Sequence, residues 1–196
     1  MKITQAIFSG SCRFIKDRPK RRLPEFAFIG RSNVGKSSLI NALCRQGQLA
    51  HTSSKPGKTQ LVNHFLINNS WYLVDLPGYG YAKLSKGIKA ELGEIIRGYI
   101  NGSEELVNLF VLLDSRHDVQ SIDLKFLLEL GEAGVPFSII FTKCDKLGSS
   151  ALENQIKKNR ETLMEYWEEL PPVFLSSTES GKGREEILDY IETLLK

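Results

Sequence analysis

The chain has 196 residues, of which 41% are hydrophobic, 25% charged and 9% aromatic, the size and balance of one globular domain. Three cysteines, Cys12, Cys44 and Cys144, form an odd set at spacings too wide for a disulfide framework or a zinc site, which points to a reducing compartment, the cytoplasm. No stretch nears the roughly 18 apolar residues of a membrane span, the start lacks the apolar core of a signal peptide, and the net charge of +3 hides an asymmetry: residues 1–98 hold 16 Lys and Arg against 5 Asp and Glu, residues 99–196 hold 10 against 18.

In chain order, Thr4 to Arg13 reads as an extended segment. The run Lys16, Arg18, Lys20, Arg21 and Arg22 then suits either a polyanionic partner or a solvated loop. Short apolar runs ending in polar or glycine residues predict buried strands at Phe26 to Ile29, Trp71 to Val74, Val107 to Leu113, Pro136 to Phe141 and Val173 to Leu175. Helical spacing predicts helices at Lys36 to Arg45, Ile88 to Ile100, Ile122 to Leu130, Leu152 to Trp167 and Glu185 to Leu195. The segment Leu61 to Ile67, followed by Asn68, Asn69, Ser70 and Trp71, reads as a hairpin. Alternating strands and helices predict an α/β, mostly parallel doubly wound sheet, with one antiparallel edge strand from the hairpin. The loops Leu49 to Gln60, Pro77 to Gly87 and Ser176 to Gly183 are the least regular stretches. Ligands bind beyond the carboxyl ends of strands in such sheets.

The sharpest motif is Gly30-Arg31-Ser32-Asn33-Val34-Gly35-Lys36-Ser37-Ser38, a P-loop pattern between a predicted strand and a predicted helix. Its glycines let backbone N–H groups curl round phosphate oxygens, and the helix N-terminus adds partial positive charge. Lys36 is placed to reach the β- and γ-phosphates and the Ser37 hydroxyl to ligate Mg²⁺. Next, Asp75-Leu76-Pro77-Gly78 follows an apolar strand, so that Asp75 can hold Mg²⁺ through water and the Gly78 N–H can approach the γ-phosphate. Finally, Thr142-Lys143-Cys144-Asp145 lies at another strand end. A carboxylate at Asp145 accepts from guanine N1–H and the exocyclic amino group, a pattern adenine does not offer, while the Lys143 stem can lie over the purine face.

This ordered set, with a late Ser176-Ser177 after Leu175, resembles the translation-factor-like P-loop GTPases. The stretches PEFAFIGRSNVGKSSLINAL, SKPGKTQLVNHF and LVDLPGYGYAK resemble the EngB (YihA/YsxC) family of bacterial GTPases more finely, from about Pro24 onward. The resemblance implies a Ras-like G domain over residues 24–196, with residues 1–23 as an N-terminal extension packed on it. It implies GTP and GDP binding, Mg²⁺-dependent hydrolysis, a role in assembling the large ribosomal subunit, and an effect on cell division and septation. A monomer without membrane attachment is expected. Residue by residue, it makes Gly35, Lys36, Ser37 and Ser38 phosphate and Mg²⁺ contacts. The PGKTQL stretch supplies Gly57, Lys58, Thr59, Gln60 and Leu61, with Thr59 ligating Mg²⁺ only when the γ-phosphate is present. Ser176 and Ser177 match the base-contacting loop. Lys36, Thr59 and Gly78 are thus the expected catalytic set. Asn33 matches a position that, in related bacterial GTPases, helps hold a K⁺ ion.

Two departures from the wider class bear on mechanism. Tyr79 follows Gly78 where Ras-like switches place a water-orienting glutamine, which predicts slow intrinsic hydrolysis. Thr142 stands where many GTPases carry asparagine, so its hydroxyl is expected to bond locally. His51, His64 and His117 make no metal spacing. Trp71, Tyr166 and Trp167 read as packing residues, and Glu161, Glu165, Glu168 and Glu169 as a solvated helix face. Lys83, Lys86 and Lys89 are candidates for phosphate-backbone contact. Two other readings remain open at this point: a small-molecule kinase on the same P-loop, and a GTPase regulator acting on a protein of the division machinery.

Overall fold

The computed structural model describes residues 1–50, 60–80 and 82–196. Seven strands form one sheet: β1 (Ala6–Cys12), β2 (Glu25–Gly30), β3 (Val62–Ile67), β4 (Trp71–Asp75), β5 (Leu106–Asp114), β6 (Phe137–Thr142) and β7 (Val173–Leu175). Their spatial order is β1-β3-β4-β2-β5-β6-β7. The pairs β2 with β4, β2 with β5, β5 with β6 and β6 with β7 are parallel, whereas β3 is antiparallel to both β4 and β1. The predicted doubly wound, mostly parallel sheet is therefore present, with its antiparallel pairings gathered at one edge. The segment predicted as extended, Thr4 to Arg13, supplies the outermost strand there.

Both faces of the sheet are covered, which is why β2 reads as an unbroken apolar run. Phe26 and Phe28 face one core with Leu39, Ile40 and Leu43 of helix α1 (Lys36–Cys44) and Ile187, Leu188 and Ile191 of helix α5 (Arg184–Leu195). Ala27 and Ile29 face the other, with Ile95, Ile96 and Tyr99 of α2 (Lys86–Gly102), Leu127 and Leu130 of α3 (Ser121–Glu132), and Leu152, Ile156 and Leu163 of α4 (Ser149–Met164). Among the described residues, no helix is long and apolar enough to cross a membrane.

Local chemistry sets the element ends. Ile67 pairs with Trp71, so the hairpin loop is Asn68, Asn69 and Ser70; Asn68 and Asn69 take left-handed φ of 50° and 53°, which asparagine tolerates, and Ser70 N–H closes the turn on Ile67 O at 2.9 Å. The Asn68 carboxamide also receives Thr4 N–H at 2.8 Å and donates to Lys2 O at 2.8 Å, which pins the start of the chain to the turn. Helix α2 begins two residues before its predicted start, because the Ser85 hydroxyl accepts from Ile88 N–H. Helix α4 starts and ends three residues earlier than predicted. Trp167 leaves the helix and packs edge-on against Phe137, with ring centroids 6.2 Å apart.

The basic run stays largely at the surface, with Lys16, Lys20, Arg21 and Arg22 exposed, but its arginines are partnered. Arg18 and Arg22 reach Glu105 at 3.2 and 3.8 Å, Arg21 donates to Asn69 Oδ1 at 2.5 Å, and Arg13 pairs with Glu91 at 2.5 Å. These contacts strap the segment after β1 along α2 and across the hairpin turn.

At the end of the sheet away from the P-loop, Glu25 is a buried hub. Its carboxylate accepts from Tyr99 Oη at 2.7 Å and Ser103 Oγ at 2.8 Å, and lies 3.2 Å from His64 Nε2. Burial alone would raise its pKa, but the bonds from His64, Tyr99 and Ser103 win and hold it below the ordinary glutamate value. A depressed carboxylate contributes stability that is complete above its unfolded pKa and is lost as pH falls through the folded one. Glu25→Gln is expected to lose about 1–3 kcal/mol at neutral pH. Its melting temperature should also fall less steeply than the wild type's between about pH 5 and pH 3. Parallel acid limbs in calorimetry would remove Glu25 as the titrating group.

Candidate functional site

A cleft of about 800 Å³ opens at the carboxyl ends of β2 and β4, lined by residues 31–38, Gln60, Leu61, Asp75, Leu76, Gly78 and Lys143. Gly30 is the last residue of β2 and Lys36 the first of α1. The intervening loop needs two left-handed residues, Asn33 at φ 63° and Gly35 at φ 101°. Gly35 is the residue before the helix, and Leu39 N–H bonds back to its carbonyl at 2.9 Å. By helix geometry the N–H groups of Lys36, Ser37 and Ser38 have no intrahelical acceptor, so the first turn of α1 presents donors to an anion.

Three side chains, of Thr142, Lys143 and Asp123, hold this loop from outside. Thr142, at the end of β6, donates its hydroxyl to Val34 O at 2.7 Å, a bond across the fold where a local one was expected. The Lys143 ammonium donates to Asn33 O at 2.7 Å and lies 3.4 Å from Asp114. Asp114 in turn takes two bonds from the Arg116 guanidinium at 3.0 and 2.9 Å. Burial works against its charged form, yet Arg116 and Lys143 hold its pKa at about 2. Arg31 Nε lies 3.3 Å from Asp123.

At the end of β4, Asp75 is buried and paired with the Lys36 ammonium. Leu76 N–H bonds to Phe28 O at 3.1 Å, Pro77 and Gly78 are buried, and Gly78 N–H donates to Gln60 Oε1 at 3.1 Å. Tyr79 turns away from the cleft: its ring stacks on Phe126 at 4.7 Å and its hydroxyl donates to Asp123 at 2.9 Å. Leu61 is exposed at the cleft mouth. Gly57, Lys58 and Thr59 lie outside the described residues.

The third motif forms an adjoining cluster. Lys143 takes a left-handed φ of 60°, which turns the chain so that Cys144 N–H reaches Ser176 O at 3.0 Å. Ser176 N–H bonds to Phe141 O at 2.8 Å, just after Leu175 closes β7, and Ser177 N–H to Lys182 O at 3.1 Å. The Ser177 hydroxyl donates to Asp145 Oδ1 at 2.8 Å. That bond lowers the Asp145 pKa; partial burial opposes it, and Glu179 and Lys146 add to the lowering. Cys144 is buried, its thiol against Phe141 O at 3.4 Å, and burial pushes its pKa up, so it acts here through its backbone. The hydroxyl of Ser176 likewise points inward, to Phe141 O at 3.3 Å.

Sequence reasoning did not find Asp114, Arg116 or Asp123 as parts of this end of the molecule. Asp123 carries one local signal: with Gln120 it forms a helix-capping pair, its carboxylate accepting from Gln120 N–H at 3.2 Å.

The donor set fits a magnesium nucleotide. No group of three or more His, Cys, Asp or Glu among the described residues forms a self-sufficient metal cage. A hydroxyl at Ser37 and a carboxylate at Asp75 suit Mg²⁺, which binds through few protein oxygens together with phosphates and water. The Lys36 ammonium held against Asp75 shows that this buried carboxylate takes a cationic partner.

Strand order, P-loop, Asp-x-x-Gly and Thr-Lys-x-Asp at successive strand ends define a P-loop GTPase domain. The family model described as "50S ribosome-binding GTPase" matches residues 25–143. The chain is 57% identical over 194 residues to the "Probable GTP-binding protein EngB" of Porphyromonas gingivalis, covering 99% of this chain and 96% of that protein. It is also 57% identical to the protein of the same name from Bacteroides thetaiotaomicron, over 196 residues and 97% of that relative. The chain belongs to the EngB family of GTP-binding proteins, a GTPase family. The crystal structure of a probable GTP-binding protein engB superposes with a TM-score of 0.68 at 24% identity, covering 87% of this chain and 98% of the other. Era in complex with MgGDPNP and nucleotides 1506–1542 of 16S ribosomal RNA superposes equally, TM-score 0.68 at 20% identity, over 89% of this chain and 57% of Era. Both share the fold.

Proposed function

We propose that this GTPase is a nucleotide-controlled switch in assembly of the large ribosomal subunit, on which normal division and septation depend. The GTP form binds ribosomal RNA of the subunit or its precursor, in the cytoplasm, as a monomer. The observation that carries the reading is the match of residues 25–143 to a family described as 50S ribosome-binding GTPases. Lys83, Lys86 and Lys89 support it, being exposed just after the Asp-x-x-Gly segment and in no ion pair among the described residues.

In this reading, the first turn of α1 and Lys36 bind the β- and γ-phosphates, Gly78 N–H donates to the γ-phosphate, and Asp145 reads the guanine edge. Ser37 and Thr59, with Asp75 through water, would hold Mg²⁺, which would supply charge neutralisation at the phosphates when bound. Water attacks the γ-phosphate while Lys36 and the backbone donors offset the developing charge. Tyr79 orients no water, because its hydroxyl is engaged by Asp123 and its ring by Phe126. Intrinsic turnover is accordingly slow. Asn33, exposed at the crest of the P-loop, belongs to this proposal as a K⁺ contact.

The test is co-sedimentation with isolated large ribosomal subunits in a non-hydrolysable GTP analogue, GDP or no nucleotide, at low and physiological salt. Pelleting that needs the analogue and weakens steeply with salt is expected, as counterion release demands of an RNA contact. Salt-insensitive binding would favour a protein partner. Absence of binding in every state would overturn the ribosomal reading.

A further inference from the structure

We propose that Asp123 is a positioning residue for GTP hydrolysis, which holds the Gly78 amide in place by anchoring Tyr79 and Arg31 together. The inference rests on the reading that Gly78 N–H meets the γ-phosphate.

Asp123 lies on α3, far in sequence from every motif, yet it is 3% exposed and directed at two of them. Its Oδ1 accepts from Tyr79 Oη at 2.9 Å and faces Arg31 Nε at 3.3 Å, while Oδ2 accepts from Gln120 N–H at 3.2 Å. A buried carboxylate persists only where its charge is paired and its lone pairs are engaged. Here the engaging groups come from the P-loop, the Asp-x-x-Gly segment and the start of α3, so one side chain registers three elements.

The backbone gives that registration its consequence. Leu76 N–H is fixed on Phe28 O at 3.1 Å, and Tyr79 N–H on Gly30 O at 3.2 Å. Only Pro77 and Gly78 lie between these two anchors on β2, and proline adds its own restriction on φ. With Tyr79 fixed, the direction of the Gly78 amide is set from both sides, and it points at Gln60 Oε1, 3.1 Å away. Gly80 closes the far side at φ 74°. A Cβ there would lie 3.1 Å from both Arg31 Cδ and Ile122 Cδ1, so the chain after Tyr79 packs directly on Arg31 and α3. Burial, with the Asp123 charge, keeps the Tyr79 phenol protonated and therefore a donor.

The experiment compares wild type, Tyr79→Phe, Asp123→Ala and the double variant in single-turnover hydrolysis, KM for GTP, GDP affinity and thermal melting. The Gly78 amide NMR shift is recorded in complexes with GDP and with a non-hydrolysable GTP analogue. Tyr79→Phe keeps the ring on Phe126 and the helix cap, so it survives as a folded test even where Asp123→Ala does not. Expected is a fall in kcat of about tenfold in each single variant, since small misplacements of positioned groups carry large rate effects. KM and GDP affinity should stay within about twofold, and the double variant should be no slower than Asp123→Ala. The analogue-induced Gly78 shift should shrink in the variants. Wild-type kcat with only a lowered melting point would overturn the inference, as would a full Gly78 shift in the variants. A Gly78 amide that does not respond to the analogue even in wild type would instead overturn the γ-phosphate reading on which the inference rests.

Discussion

Asp145→Asn should bind GTP at least ~100-fold more weakly than wild type, and should bind xanthosine triphosphate in preference to GTP. The carboxylate offers acceptors to guanine N1–H and the 2-amino group, two charge-assisted bonds of about 1.5–3 kcal/mol each. Asparagine keeps one acceptor and turns the other position into a donor, which faces the 2-amino group donor to donor. Xanthine carries a carbonyl at that carbon and restores the match. The geometry favours a clean exchange, because Asp145 is held by Ser177 Oγ at 2.8 Å, and Ser177 is itself fixed through backbone bonds at 3.1 and 3.0 Å to Lys182 and Gly181. Competitive displacement of a fluorescent nucleotide by GTP and XTP measures it. Retained preference for GTP would remove Asp145 from the base site.

The second large effect is at Lys36. Lys36→Met should lower kcat by about 10³, since removal of a single preorganised donor at developing charge already costs about 10²–10³. It should also destabilise the nucleotide-free protein by about 3 kcal/mol, because it leaves Asp75, whose side chain is 10% exposed, as an uncompensated buried charge. The two effects separate in the double variant Lys36→Met with Asp75→Asn, which should recover most of the stability and none of the turnover. Phosphate release and thermal melting read them independently. Turnover within tenfold of wild type would mean that Lys36 does not reach the phosphates.

What the sequence made legible was chemistry confined to short stretches. The P-loop, Asp75 to Gly78, and Thr142 to Asp145 each need particular residue types at adjacent positions, and each falls at the strand end where it was expected. The hairpin was equally readable, since Asn68 and Asn69 are the residues that tolerate its backbone. Contacts that close over long separations were not. Thr142 reaches Val34 across 108 positions, Asp123 reaches Tyr79 across 44 and Glu25 reaches Tyr99 across 74. No local pattern announces such partners, and Asp123 looks like an ordinary first-turn acid of a helix. The basic run was legible only as charge, which suits a polyanionic partner and a solvated loop alike; which of its arginines find partners emerges only on folding, when Glu105 meets Arg18 and Arg22 and Asn69 meets Arg21.

The Glu25 hub has a mechanical consequence. Strand β3 follows one loop of the cleft and α2 follows the other, and Glu25 ties His64 of the first to Tyr99 of the second at the end of β2 away from the P-loop. One buried carboxylate thus clasps the strand that leaves the first loop to the helix that leaves the second, so a change at residue 25 is felt by both walls of the cleft without touching either loop.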